Sequence, residues 1–383
     1  LTSHSWRKRG KKMGKRIALL TTNFFHPVEE RLIMGGAERY QVELCRLLRQ
    51  LGFEVEVWQI GDNWTREFDG VKIHGLPTRQ NEMHTFPELS TLFYEAAIDF
   101  DYAIYFVMSL AYPVAKEKSL GISHGIYWDW PGFQLFTGGN LQIVQEWLHR
   151  QHVALRNLRL VVSVDTNTIN FFQTVFPGCG FKFRYIPNFV NTQLYCPAPE
   201  GAGDGIVRVL YPRRLVPVRG LNETIRVAER LTSRYPNVEF HFCGRGHSDA
   251  HEQVMLRWAS QHERCYYYWK PMDQMPQVYQ MSDIVVIPSR STEGTSLAAL
   301  EAMACGKPVI AGLAGGLTDL IIHGYNGYLI QVNVSNLEGT VEELILEAEK
   351  RAQMGKRARE VALAFRRELW AQRWAEVIKE VFG

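Results

Sequence analysis

Short β-rich runs alternate with amphipathic helical runs along most of the sequence. An apolar run at residues 17–22 predicts a first strand, and apolar residues then recur at helical spacing from Ala37 to Leu51, with Gly52 where a helix C-cap belongs. Further strands are predicted at residues 53–58, 102–107, 120–123 and 159–164. Such alternation is typical of a parallel sheet with helices on both faces.

One break interrupts this pattern. Residues 196–205, CPAPEGAGDG, are rich in Pro and Gly and have no periodicity, as in a linker. The alternation then restarts, with strands predicted at residues 207–211, 238–243, 265–269, 284–288 and 308–311 and helices from Asn222, Asp249 and about Ser296. At about 150 residues per domain, 383 residues fit two domains. The sequence therefore predicts an α/β fold with two Rossmann-like, doubly wound parallel-sheet domains in series.

The charge distribution argues against nucleic acid as a partner. The formal net charge is +3, and residues 1–12 contain five basic residues and no acid. Without them the net charge is three minus five, or −2, so the rest of the chain is close to neutral. Met13 resembles a natural start before a first strand. We expect the basic leader to be a solvated, disordered arm, and the alternative is a contact with an anionic membrane.

The chain has no sequence signal for membrane insertion, secretion or metal binding. Its apolar runs are a few residues long, whereas a spanning helix needs about 20 residues. The N-terminus lacks the apolar core of a secretory signal. Six scattered cysteines form no Cys-x-x-Cys pair and no zinc-like spacing with histidine. We therefore expect a cytoplasmic protein with no metal site.

A polar loop and then a helix follow the strand predicted at residues 284–288. The segment reads SRSTEGTSLAALEAMACGKPVIA from Ser289, and the helix is expected to open near Thr295 or Ser296. The free amides of Thr295, Ser296 and Leu297 would then lie at a helix N-terminus, where they can bind a phosphate.

Two glutamates flank that helix N-terminus. Glu293 lies on the loop just outside it, and Glu301 lies between one and two turns inside the helix. Alone, such a pair would be a helix cap and a solvated helix residue. The whole block, however, resembles the signature of the retaining GT-B glycosyltransferases of the family 4 type: Glu, seven residues, Glu, then AMACGKPV. The resemblance implies that Glu293 contacts the hydroxyls of the transferred sugar and Glu301 those of the nucleotide ribose.

Residues 213–220, RRLVPVRG, are similar to the family's Gly-Arg-Leu-x-x-x-Lys-Gly, in which Arg and Lys bind the diphosphate. Carried over, this pair becomes Arg214 and Arg219; without the family, both would be surface arginines. Arg213 stands where Gly is usual, and Arg219 replaces Lys, which changes a point charge into a planar fork. The resemblance assigns the largest catalytic effect to these cations, and one such contact is worth about 100–1000-fold in rate.

Glycines are the remaining candidates for contacts with the sugar donor. Gly35 and Gly36 follow the first strand and open the first helix, so their backbone can approach an anion, although the motif alone favours an ordinary Gly-rich turn. The resemblance implies that they face the donor phosphates. Gly244, in a Gly-Arg-Gly after a strand, resembles the family's donor-site Gly-x-Gly. Residues 266–271, YYYWKP, depart from the family, which usually has a Gly next to the base.

His124 ends a predicted strand, so its side chain is expected to point into the active site. A lone histidine is more often structural, but the resemblance implies that it lies near the reacting sugar, close to the primary hydroxyl. Tyr127, Trp128 and Trp130 follow at once. Their aromatic faces can form an acceptor-binding rim or pack within the loop, and both interpretations stay open.

The resemblance covers nearly the whole chain from Met13 onward and implies a GT-B fold with a cleft between its domains. The helix predicted over residues 366–382 resembles the family's last helix, which crosses back to the N-terminal domain. We expect a basic leader (1–12), an acceptor-side N-terminal domain (13–196 plus 366–383), a linker (197–205) and a nucleotide-sugar-binding C-terminal domain (206–365).

These features together predict a retaining hexosyltransferase. The expected donor is a nucleoside-diphosphate sugar, UDP-linked as in UDP-glucose, and the expected acceptor is a glycan or a lipid-linked molecule. No metal or other cofactor is expected, because Arg214, Arg219 and the amides after Glu293 stabilise the departing diphosphate. Polysaccharide assembly at the inner face of a membrane is compatible with the basic leader. The alternatives are a nucleotide-sugar epimerase of similar fold and a non-catalytic nucleotide-sugar-binding subunit.

Overall fold

Strands and helices alternate in the protein as the sequence predicts. The computed structural model describes residues 15–33, 35–78, 82–125, 138–199, 204–246, 248–291 and 293–383. The strands are β1 (Arg16–Leu20), β2 (Glu54–Ile60), β3 (Thr65–Phe68), β4 (Val71–Leu76), β5 (Tyr102–Tyr105), β6 (Ser119–Ser123), β7 (Leu160–Ser163), β8 (Phe183–Tyr185), β9 (Val207–Tyr211), β10 (Val238–Cys243), β11 (Cys265–Tyr268), β12 (Ile284–Ile287), β13 (Val309–Gly312) and β14 (Gly327–Ile330). The helices are α1 (Gly36–Gln50), α2 (Glu82–Ala96), α3 (Leu141–Asn157), α4 (Thr166–Val175), α5 (Leu221–Arg234), α6 (Asp249–Gln261), α7 (Met275–Met281), α8 (Leu297–Ala304), α9 (Val334–Leu346), α10 (Ala348–Ala362) and α11 (Arg367–Phe382). None of the helices within these ranges is long and apolar enough to cross a membrane.

The strands form two sheets, and both are mainly parallel. The first has eight strands in the order β3-β4-β2-β1-β5-β6-β7-β8, and the second has six in the order β11-β10-β9-β12-β13-β14. Every pair of neighbours in the second sheet is parallel. In the first sheet β3 runs antiparallel to β4, and the neighbours from β4 through β6 are parallel. The predicted α/β class with two parallel sheets is confirmed.

The second sheet is buried on both faces, because alternate residues of its strands enter different apolar clusters. On β12, Ile284 and Val286 pack into the cluster that contains α5 and α9. Val285 and Ile287 pack into the cluster that contains α8. All four side chains are fully buried. A parallel sheet covered on both faces needs continuous apolar strands, which explains why the run IVVI predicted this strand correctly.

Contacts divide the chain into two compact units. The first consists of the described residues of Leu1–Ile122, His149–Leu160 and Glu380–Gly383, and the second of those of Ser123–Leu148 and Val161–Lys379. The domain boundaries expected from the sequence stay a prediction, and the basic leader lies outside the described residues.

The hairpin of β3 and β4 is not predicted by the pattern of apolar residues, because β3 is short and none of its residues is buried. The two strands join at Asp69 and Gly70, whose φ angles of +51° and +70° are the left-handed values that a type I′ turn requires. The Asp-Gly pair was therefore the available signal. β8 and β14, with three and four residues, were not predicted either.

Candidate active site

The order in which successive strands are added to the second sheet reverses between β9 and β12. β10 and β11 lie on one side of β9, whereas β12, β13 and β14 lie on the other. Ligands of such sheets bind beyond the carboxyl ends of the strands at this point, where the two loops diverge. The loop after β9 carries Arg213 and Arg219, and the loop after β12 carries Ser289 and Glu293. The sequence thus places four polar side chains where a ligand site is expected.

Two glycines allow the loops at this edge to pack backbone against backbone. A Cβ added at Gly244, after β10, would lie less than 3.0 Å from the carbonyl oxygen of Arg213. A Cβ added at Gly312, at the end of β13, would come equally close to the carbonyl oxygen of Ser289. The main chain at Arg213 and Ser289 is therefore fixed by its neighbours.

Glu293 is the centre of the polar cluster, and its side chain is 9% exposed. Its Oε2 accepts hydrogen bonds from Arg213 Nη2 at 2.6 Å and from Ser289 Oγ at 2.9 Å. Arg219 Nη1 donates to the same oxygen. Within the described ranges, every hydrogen bond to this carboxylate ends on Oε2, so the three donors fix the carboxylate through one oxygen.

The two arginines hold Glu293 in its ionised form. Burial is the largest single effect and raises the pKa of Glu293, but the charges of Arg213 and Arg219, together with hydrogen bonds from Ser289 and Arg213, outweigh it. The pKa of Glu293 is therefore below its ordinary value. Burial also lowers the pKa of Arg219, against the attraction of Glu293 and together with the charges of Arg213 and Arg214.

Arg213, which stands where the family usually has a glycine, is part of the cluster. Its side chain is 11% exposed, whereas Arg214 is an exposed residue. The predicted pair of Arg214 and Arg219 is thus joined by a third arginine. The charge of Arg214 contributes to the lowered pKa of Arg219. The only sequence signal for Arg213 was the replacement of a usual glycine.

The helix N-terminus lies where the sequence predicted it. Ser296 is the N-cap of α8 and Leu297 its first residue; Ser296 Oγ accepts from the amide of Ala299 at 3.4 Å and from Arg213 Nη1 at 3.2 Å. Thr295 is fully buried, and its hydroxyl donates to the carbonyl oxygen of Val164 at 2.9 Å. The Thr295 side chain therefore has a structural role, and donor binding by the amides of this turn stays a prediction.

Glu301 is not a solvated helix residue. It is 4% exposed, and the hydroxyl of Tyr279 donates to its Oε2 at 2.9 Å. Tyr279 belongs to α7 and is itself buried. A carboxylate on a buried helix face needs such a partner. The contact of Glu301 with a ribose stays a prediction.

His124 lies beside the loop that carries Glu293. It is half-buried, and a Cβ added at Gly294 would lie 2.8 Å from the His124 carbonyl oxygen and 2.7 Å from Cγ2 of Val164. The absence of a side chain at Gly294 thus allows the chain after β6 and the chain after β7 to contact the Glu293 loop. The structure brings His124 and Glu293 together within the second unit.

The backbone of Glu293 is held from the other side by the turn after β13. The amide of Gly316 donates to the Glu293 carbonyl oxygen at 2.8 Å. Gly315 has a φ of +49°, and a Cβ there would lie less than 3.0 Å from that oxygen. We call Gly294, Gly315 and Gly316 the glycine junction, because their bare backbones surround Glu293.

The other predicted donor residues belong to different units. Gly35 and Gly36 belong to the first unit, where Gly35 is the N-cap of α1 and its amide donates to Glu38 Oε2 at 2.8 Å. Gly244 follows β10, and its amide donates to the carbonyl oxygen of Tyr268 at 3.2 Å. The predicted acceptor residues Tyr127, Trp128 and Trp130 lie outside the described residues.

Two family models match the chain in succession. Residues 34–194 match "Glycosyltransferase Family 4", and residues 199–361 match "Glycosyl transferases group 1". The second match contains the cluster around Glu293. Together the two matches leave unmatched only the two ends of the sequence and the short stretch between them.

A curated relative of this chain is also a glycosyltransferase. The chain is 28% identical over 224 residues to a GDP-mannose-dependent alpha-(1-6)-phosphatidylinositol monomannoside mannosyltransferase of Mycolicibacterium smegmatis. The match covers 53% of this chain and 57% of that protein. The chain spans about half the length of the curated relatives that it matches.

Solved structures share the fold over nearly the full chain. A sucrose-phosphate synthase from Thermosynechococcus elongatus superposes with a TM-score of 0.77 at 18% identity, over 96% of this chain and 99% of that one. Anabaena HepE in complex with UDP-glucose gives a TM-score of 0.73 at 20% identity, over 95% and 99%. These likenesses show the GT-B fold, and the two family matches, with the Glu293 block, show that the chain belongs to the glycosyltransferases of the family 4 type.

Proposed function

We propose that this protein is a retaining glycosyltransferase that moves a hexosyl group from a nucleoside-diphosphate sugar to a glycan or lipid-linked acceptor. One observation supports it above the others. A buried, ionised Glu293 is held by two arginines beside a helix N-terminus, at the point where ligands of parallel sheets bind.

The arrangement is suited to stabilising a leaving diphosphate. In glycosyl transfer from such a donor, the bond between the sugar and the diphosphate breaks and negative charge grows on the phosphate oxygens. Arg214, Arg219 and the amides of the first turn of α8 would compensate that charge. We therefore propose that transfer requires neither a metal nor another cofactor.

The two glutamates take different parts in this proposal. Glu293 accepts hydrogen bonds from hydroxyls of the transferred sugar, and Glu301, oriented by Tyr279, accepts from the ribose. His124 lies near the primary hydroxyl of the sugar. Retention follows if the acceptor hydroxyl attacks from the same face that the diphosphate leaves, with no covalent sugar–enzyme intermediate.

The proposed donor is a UDP-sugar such as UDP-glucose. Anabaena HepE, a structural neighbour of this chain, is known in complex with UDP-glucose, which supports this choice. The mannosyltransferase of Mycolicibacterium smegmatis is named as GDP-mannose-dependent, so GDP is the necessary competitor in any test. We further propose a cytoplasmic protein that contacts the inner membrane face through its basic leader, which binding to anionic and neutral lipid vesicles would test.

Calorimetric titration with UDP and GDP tests the donor site first. We expect UDP to bind at least about tenfold more tightly than GDP, a difference of about 1.4 kcal/mol. Binding of neither nucleotide would refute the donor site, and the YYYWKP departure would be the first cause to examine. Preference for GDP would leave the transferase class standing and change the donor.

Hydrolysis of UDP-glucose in the presence of EDTA tests the chemistry. We expect slow release of glucose and UDP that is insensitive to EDTA, and the first anomer seen by NMR should be α, as in the donor. Release of the β-anomer would contradict retention, and loss of activity with EDTA would contradict metal independence. An epimerase would instead yield an altered sugar, and a non-catalytic binding subunit would yield none.

A further inference from the structure

Arg213 occupies a position that the family usually leaves without a side chain, and it is firmly held there. Its Nη2 donates to Glu293 Oε2 at 2.6 Å and to Ser289 Oγ at 3.2 Å, and its Nη1 donates to Ser296 Oγ at 3.2 Å. Two of the acceptors, Ser289 and Glu293, lie on the loop after β12, and the third is the cap of α8. Close packing against Gly244 fixes the Arg213 backbone as well.

Arg219 contacts the same carboxylate and is the more exposed of the two arginines. Its Nη1 donates to Glu293 and, at 3.4 Å, to Ser289 Oγ. Its side chain is 25% exposed, more than twice the exposure of Arg213. Of the two guanidinium groups on Glu293, Arg219 is therefore the one that can turn toward a bound anion.

The charges of the cluster match a diphosphate only if Arg213 is included. Arg213, Arg214 and Arg219 bring three positive charges and Glu293 one negative, so the cluster carries a net charge of +2. The diphosphate of a nucleotide sugar carries two negative charges at neutral pH. With glycine at position 213, the cluster would carry +1, and Arg219 would be the remaining arginine on Glu293 among the described residues.

We propose that Arg213 is the permanent counter-ion of Glu293, a positioning residue that holds this carboxylate while Arg219 leaves it to bind the diphosphate of the donor. The inference rests on the proposed function, since it needs a diphosphate ligand. Arg213 and Ser289 both hold Oε2, so the Glu293 carboxylate stays oriented after Arg219 has moved, and Oε1 would be the oxygen that accepts from the sugar.

A double-mutant cycle on UDP affinity tests this role. In the protein with Glu293 intact, Arg213→Gly should weaken UDP binding about tenfold, because Arg219 must then stay on Glu293. In the Glu293→Gln background, no counter-ion is needed, and the same change should weaken UDP binding by less than about threefold. Equal losses in both backgrounds would show that Arg213 binds the diphosphate itself and would overturn the proposal.

Two further variants make the result independent of folding. Arg213→Lys keeps the charge and should restore most of the UDP affinity in the Glu293 background. Arg230→Gln removes an exposed arginine on α5 that pairs with Glu338, and it should change neither UDP affinity nor turnover. If the unchanged protein binds neither UDP nor GDP, the proposed function fails; if it binds UDP and the cycle shows no coupling, the role of Arg213 alone fails.

Discussion

Two glutamates of this protein each contact two arginines, but the arginines of one cluster are much more exposed than those of the other. Glu293 pairs with Arg213 and Arg219 in a buried cluster, whereas Glu338 pairs with Arg230 and Arg234, whose side chains are about half exposed. Removing one partner of a buried pair leaves uncompensated charge, but exposed pairs contribute little because water screens them.

Glu293→Ala should therefore lower the free energy of unfolding by about 3–5 kcal/mol. Glu338→Ala, the matched control, should lower it by less than about 1 kcal/mol per broken pair. Urea unfolding of both variants measures the difference. Equal losses would mean that the Glu293 cluster is as well solvated as the surface pairs.

The lowered pKa of Glu293 also gives stability a dependence on pH. A carboxyl whose pKa is lower in the folded than in the unfolded protein stabilises the fold above its ordinary pKa, and loses that effect as pH falls through the folded pKa. The ordinary value is 4.5, so the contribution should disappear below that pH. Unfolding free energies measured downward from pH 4.5 should fall more steeply in the unchanged protein than in Glu293→Gln. Parallel curves would contradict the lowered pKa.

At the scale of elements, the turn after β13 positions the Glu293 backbone through the glycine junction. Gly315→Ala combines a left-handed backbone with a clash against the Glu293 carbonyl. Gly324 is the matched control, since its φ is +76° and an added Cβ would meet nothing within 4 Å. Gly324→Ala should lower the free energy of unfolding by about 1–2 kcal/mol, from backbone strain alone.

Gly315→Ala should lower the free energy of unfolding by more than Gly324→Ala does. It should also abolish UDP-glucose hydrolysis, because the clash displaces Glu293. Thermal unfolding and hydrolysis rates of the two variants provide the comparison. A Gly315→Ala protein with the stability of Gly324→Ala and normal turnover would show that the junction tolerates a side chain.

The elements that the sequence predicted best are those with local signals. The start of α8 was expected near Ser296 and lies at Leu297, because a serine cap before an apolar run identifies a helix start without tertiary information. The role of Arg213 could not be predicted, since it depends on how the loops after β9 and β12 pack together. The burial of Glu301 against Tyr279 is likewise a tertiary effect, because α7 and α8 meet only in the folded chain.

At the scale of the whole molecule, the last residues of the sequence complete the first unit. Phe382 is fully buried, its ring stacks on Tyr102 with centroids 4.3 Å apart, and its carbonyl oxygen accepts from the Tyr102 hydroxyl at 2.7 Å. Lys15 Nζ donates to the same carbonyl at 3.1 Å. These contacts join residues about 280 and 367 positions apart in the sequence.

Phe382→Ala should therefore destabilise the protein by about 3–5 kcal/mol, the usual cost of removing a buried phenylalanine ring. Phe181→Ala serves as control, because Phe181 is 74% exposed and its removal creates no cavity. Chemical unfolding should separate the two variants clearly. A loss at Phe382 no larger than at Phe181 would show that the last helix does not stabilise the first unit.

Each unit is built from segments that are far apart in the sequence, so a gene cut into two halves would separate parts of the same unit. A cut in the Pro- and Gly-rich stretch would give two pieces of similar size. The first unit, however, includes Glu380–Gly383 of the second piece, and the second unit includes the described residues of Ser123–Leu148 and those from Val161 up to the cut, which belong to the first piece. Neither piece contains a whole folding unit. We expect each half to aggregate when expressed alone and to become soluble on co-expression, so that reassembly of the split protein could report whether the two halves are made in the same cell.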